Sequence, residues 1–163
     1  MTRATAISQL RERGWRVEEQ PGQAFRLPPA LASRYPRLPA SLVEFLSGLT
    51  RCADASETTW FLCQKDYEGT SGSAFAWDEW EQMSLSAAGG DAKFNAEIRA
   101  FWDTHFPFLL SVHSGYAFHA VCTAKDRFGQ VVEGCEPEFE ETSAIAGSFE
   151  DFLSTFLNAK GNS

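Results

Sequence analysis

Five carboxylates fall within nine positions in the run Glu133-Gly134-Cys135-Glu136-Pro137-Glu138-Phe139-Glu140-Glu141. Clustered carboxylates serve as acid and base where their environments drive their pKa values apart, or as a charged recognition surface. Drawn out as a strand, the run puts Glu136, Glu138 and Glu140 on one face and Pro137, Phe139 and Glu141 on the other. Pro137 points to a sheet edge, where a missing N–H is tolerated. Together with Glu133 the run reads as an acidic ridge for a basic protein partner. The same charges also discourage strand-to-strand association at an exposed edge. A second group, Asp66, Tyr67, Glu68, Trp77, Asp78, Trp80 and Glu81, mixes carboxylates with large rings, a composition usual at protein interfaces. If one helix carries Trp77 and Trp80, one ring belongs to the core and the other is left for a partner.

The remaining reactive groups do not form a catalytic pattern. Ser111, His113 and Ser114 are adjacent in sequence, but a triad needs oriented partners, and Ser114-Gly115 suits a hairpin turn. There is no phosphate-binding glycine loop, nucleophile elbow or metalloprotease His-Glu motif. Cys52, Cys63, Cys122 and Cys135 contain no C-x-x-C pair and suit no common zinc module, so buried, reduced thiols are expected. His119 and Cys122 lie three apart on a predicted strand and therefore point to opposite faces. No cofactor or metal is expected, and no enzyme activity. An enzyme acting through Asp/Glu, with Trp77 or Trp80 as a substrate platform, stays the lesser reading.

The elements that position these residues begin with helical periodicity over Thr2–Gly14, with Ala6, Ile7 and Leu10 as its apolar stripe. A short extended piece follows at Trp15–Val17. Five of the seven prolines then occupy positions 21–39, which leaves room for only a turn of helix at Pro29–Ser33. Pro39 opens a helix in which Leu38, Leu42, Phe45, Leu46 and Leu49 recur at helical spacing, ending near Gly48. Thr58–Gln64 has strand composition, Asp66–Ala74 reads as a loop and Phe75–Ser86 as an amphipathic helix. Asp91 caps a further helix with Phe94, Ile98, Phe101 and Trp102 in line. Strands are expected over Pro107–His113, Tyr116–Thr123 and Gln130–Glu133, with an extended piece at Pro137–Thr142. Ser148 then caps a terminal amphipathic helix on which Phe149, Phe152, Leu153, Phe156 and Leu157 follow the i, i+3, i+4, i+7, i+8 template. The fold class is α+β: one domain over residues 1–163, with a mixed or antiparallel sheet flanked by helices.

Composition sets the outer limits. The 163 residues are 44% hydrophobic and 22% charged, which excludes a disordered tail and a coiled coil. No apolar run approaches the roughly 18 residues of a membrane span. Five arginines in the first thirty residues argue against a secretory signal, so a cytoplasmic protein is expected. Met1–Arg51 carries eight arginines against four glutamates, a net +4. Cys52–Ser163 carries six basic against 18 acidic residues, a net −12. That acidity argues against nucleic acid, whose affinity comes from Lys and Arg on phosphates, and favours basic protein partners.

Three stretches carry a family resemblance. They are Leu38-Pro39 with Leu42, Phe45 and Leu46; Pro107–Val112 leading into Gly115-Tyr116-Ala117-Phe118; and Val131-Val132-Glu133-Gly134 through Glu136–Glu141 to Ile145–Leu153. In this order and spacing the chain resembles the SUKH superfamily, in particular its Smi/Knr-like branch, over residues 38–158. The resemblance implies an α+β domain and, for bacterial members, an immunity protein that binds and neutralises a toxin. Other members are regulatory scaffolds, which is the alternative reading. The family has no shared active site, so no catalytic residues carry over. The chain departs from the pattern in its Arg- and Pro-rich region up to Arg37 and in having Gly147 before the final helix.

Overall fold

A computed structural model describes residues 1–159 of the chain. In chain order the elements are α1 (Arg3–Glu12), β1 (Arg16–Glu19), α2 (Pro29–Arg34), α3 (Ala40–Leu46), β2 (Leu49–Ala53) and β3 (Thr59–Phe61). Then come α4 (Gln64–Glu68), α5 (Glu79–Ala88), α6 (Ala92–Asp103), β4 (His105–Ser111), β5 (Ala117–Cys122), β6 (Val131–Cys135), β7 (Ser143–Ala146) and α7 (Phe149–Asn158). The seven strands form one sheet in the order β1-β2-β3-β4-β5-β6-β7, and every neighbouring pair is antiparallel. The class is α+β, as expected, with a purely antiparallel meander.

Strand alternation places helices on both faces. Phe118 and His119 are consecutive on β5 and so point opposite ways. Phe118 meets Trp102 of α6 at 4.7 Å between ring centroids, whereas His119 meets Phe152 of α7 at 5.0 Å. On the α7 side, Phe45 of α3, Phe61 of β3, Phe108 of β4 and Phe149 of α7 form one aromatic cluster. On the α6 side, Trp80 of α5 stacks on Phe139 with an interplanar angle of 4°, and Tyr35 donates to the Trp102 carbonyl at 2.6 Å.

The caps read from the sequence are present. Ser148 Oγ accepts the Asp151 N–H at 3.1 Å, and Asp91 Oδ1 accepts the Phe94 N–H at 3.0 Å. The four α7 residues Phe149, Phe152, Leu153 and Leu157 are buried.

Several expectations need correction. Gln64–Glu68 is helical where the end of a strand at Gln64 and a loop from Asp66 were expected, because the Asp66 carboxylate reaches back to accept the Cys63 N–H at 2.7 Å and starts a turn. The predicted helix at Phe75–Ser86 begins only at Glu79, so Trp77 and Asp78 precede it. Phe94 is exposed, on the solvent side of α6. Leu49, counted in the helical stripe, instead opens strand β2 (Leu49–Ala53), which no expectation covered and which is entered through Gly48 at φ +79°. Pro137–Thr142 is not extended, and β7 begins one residue later at Ser143.

Candidate functional site

The second acidic and aromatic group is split between core and surface: Tyr67, Trp80 and Glu81 are buried, Asp66, Trp77 and Asp78 half-buried and Glu68 exposed. Tyr67 is buried between Phe25 and Phe106, with its hydroxyl donating to the Pro107 carbonyl at 2.8 Å. Burial pushes its pKa well up. Trp80 is buried between Tyr116 and Phe139, whereas Trp77 is half-buried against Tyr35 and Tyr67. Glu81 is 4% exposed and takes a two-pronged contact from Arg34, at 2.9 and 2.7 Å. A carboxylate so buried persists because the guanidinium fork satisfies both of its oxygens. Asp66 is committed to its helix start, and Asp78 accepts from Gln82. Glu68 alone of the group's carboxylates is fully exposed, and it accepts from Gln64 at 2.9 Å. The aromatic content signalled the core layer under α5, which the sequence reading assigned in part to a partner.

The first acidic run keeps its surface character but changes shape. Strand β6 stops at Cys135, and residues 136–141 form a turn in which the Glu136–Pro137 peptide is cis. Phe139 is buried against Trp80, which anchors the turn to the sheet. Glu140 follows it inward and accepts from Ser84 Oγ at 2.9 Å, and burial raises its pKa. The expected face of Glu136, Glu138 and Glu140 therefore does not exist. Glu133, Glu136, Glu138 and Glu141 are the exposed members. Glu138 and Glu141 lie close enough to share a hydrogen bond, which raises the Glu141 pKa. Gly134 is obligatory here, because a Cβ would come within 2.6 Å of both the Phe118 ring and the Phe139 carbonyl oxygen.

This turn delivers the chain to β7, the last strand of the sheet. From Phe128 to Ala159 there are seven carboxylates and neither lysine nor arginine. At the other end of the sheet, α1 lies against β1, with Arg3 at 2.6 Å and Arg11 at 3.1 Å from the Glu19 carboxylate. Arg11 also donates to the Val17 carbonyl of β1 at 3.1 Å. Among the described residues no strand or side chain bonds to the outer side of β7. Of its residues Ser143, Ala144 and Ile145 are exposed.

Other groupings offer less. Asp54, Ser56, Thr59, Ser111 and His113 line a shallow depression. There Asp54 is occupied by the Thr58 and Thr59 N–H groups, and His113 Nδ1 has Thr58 Oγ1 at 3.5 Å. No nucleophile, base and orienting acid line up in it. An open groove of about 880 Å³ runs over β2 and β3 beside Trp60 and Phe75, but Arg51 within it is paired with Glu57 and Asp66 with the Cys63 N–H. Cys52, Cys63 and Cys122 are buried and Cys135 is exposed. Burial pushes the Cys52 thiol up to about 12, far from thiolate chemistry. Among the described residues no three His, Cys, Asp or Glu side chains gather as metal ligands, and no helix is long and apolar enough to cross a membrane. No protein-family model matches the chain, and neither a curated protein nor a solved structure matches it.

Proposed function

We propose that this chain is a cytoplasmic immunity protein that binds a basic toxin domain and neutralises it by occlusion. The observation that carries the reading is the run of charge: residues 131–146, which build β6, the 136–141 turn and β7, hold five carboxylates and neither lysine nor arginine. Such a surface speeds encounter with a cationic protein and repels nucleic acid, so it suits a nuclease whose own basic site it covers. The resemblance to the SUKH superfamily supports the same reading. Protection is stoichiometric, because binding rather than turnover silences the toxin.

The test is capture with tagged protein from the source cells at low and high salt, followed by co-expression with any basic partner retained. One stoichiometric cationic protein, released at high salt and toxic unless this chain is co-expressed, is the expected result. Capture of a set of housekeeping proteins, with no toxicity to relieve, replaces the reading with that of a regulatory scaffold.

A further inference from the structure

We infer that the open edge of β7 receives an extended, lysine- or arginine-flanked segment of the partner as an eighth strand. The inference rests on the basic-partner reading above and adds the mode of binding. A free sheet edge presents a row of unpaired N–H and C=O groups, a template for strand addition. Proteins blunt such edges with charged side chains, proline or a covering element. Here β1, the opposite edge, is treated that way: three of its four residues are charged, and Arg11 of α1 donates to its Val17 carbonyl. Strand β7 reads Ser-Ala-Ile-Ala, with no charge and no proline, and its Ile145 is 39% exposed. Ala159, which follows α7, lies at the end of α1, its carbonyl accepting from Arg13 at 3.0 Å.

Charge at the two ends of the strand selects the occupant. Glu138 and Glu141 precede β7, Glu133 sits across from Ser143 on β6, and the Asp151 carboxylate lies 4.0 Å from where a Cβ on Gly147 would stand, just past the end of β7. A second copy of this chain would bring carboxylates against carboxylates, whereas a segment with cations at its ends meets an anion at each. The backbone ladder supplies affinity and the flanking charges set register and partner.

The test uses the whole protein and a labelled synthetic peptide of alternating Val and Thr with two lysines at each end. Binding is read by fluorescence anisotropy, and amide exchange is followed at Ser143–Ala146. The lysine-flanked peptide is expected to bind and to slow exchange in β7. N-methylation of its ladder-facing amides, which removes donors and leaves the charge, is expected to weaken binding about tenfold or more. The I145K variant is expected to do likewise, and the N-methylated peptide keeps the test independent of that variant's folding. Equal binding of the N-methylated peptide, or unchanged exchange in β7, overturns strand addition and leaves the basic-partner reading standing. Equal binding of a glutamate-flanked peptide, or no binding of either, overturns both.

Discussion

His119 gives a quantitative test of how the sheet and α7 fit together. Its ring packs between Phe108 and Phe152, Nδ1 has no hydrogen-bond partner among the described residues, and burial pushes its pKa down from 6.5 to about 4. The folded protein therefore holds this proton less tightly than the unfolded chain does. Between pH 6.5 and about 4 the unfolded state binds more protons, so stability is fully present above pH 6.5 and falls as the pH falls through that window. A shift of that size corresponds to about 3 kcal/mol, at about 1.4 kcal/mol per pH unit. The loss is smaller by whatever Glu133 returns, since its Oε2 lies 3.5 Å from Nε2 and favours the imidazolium. His105, also lowered by burial, acts in the same direction, whereas Glu140, raised by burial, acts against it. The comparison that isolates His119 is therefore wild type against His119→Leu, by urea unfolding at a series of pH values. The variant's stability is expected to change less between pH 7 and pH 4, by about 1–3 kcal/mol. Glu133→Gln in the wild-type background is expected to steepen the loss. Parallel stability curves for wild type and His119→Leu would refute the placement of a neutral His119 beneath α7.

Three further outcomes follow from the site. Glu81→Leu removes one member of the buried Arg34 pair and is expected to cost about 3–5 kcal/mol in urea unfolding, with Arg34→Met in addition restoring part of it. The triple variant Glu136→Lys, Glu138→Lys, Glu141→Lys changes only exposed side chains, so stability is expected to stay within about 0.5 kcal/mol per site while partner binding weakens and loses its salt dependence. Unchanged affinity and unchanged protection in that variant would remove the acidic turn from the interface. Gly134→Ala forces a methyl against the Phe118 ring and the Phe139 carbonyl, and thermal unfolding is expected to show a loss of about 1–3 kcal/mol.

Helices with a complete apolar stripe and a side-chain cap were legible in the sequence, because stripe and cap are both local. Residues 149–157, with Ser148 before them, are the clearest case. Strand β2 was not legible, since Leu49–Ala53 holds one large apolar residue and an arginine, and its pairing with β1 comes from distant residues. The same limit applied to the candidate site. Nothing near Glu81 in sequence announces Arg34, 47 positions earlier, so a buried ion pair read as surface charge. Tyr67 and Trp80 carried the composition of an interface and turned out to be core, because burial is decided by which sheet face lies beneath them. The run 133–141 was recognisable as acidic, but Phe139 stacking on Trp80 bends it into a turn that no alternation pattern encodes.

The order of the strands explains why a charge imbalance along the sequence becomes one in space. In a sheet whose spatial order equals its chain order, Arg3, Arg11 and Arg16 stand at the β1 end and Glu133, Glu136, Glu138 and Glu141 at the β7 end, while Arg34 pairs with Glu81 and Asp103 and Arg37 lies over Phe128. Seven strands at about 4.8 Å apart put these edges about 30 Å from each other. That is several times the Debye length of about 8 Å at physiological salt, so the charges at the two edges are screened from one another. A sheet with crossovers would have mixed the two sets of charges. The meander keeps them apart and leaves the uncharged strand β7 between carboxylates at its two ends, the feature on which the proposed strand addition rests.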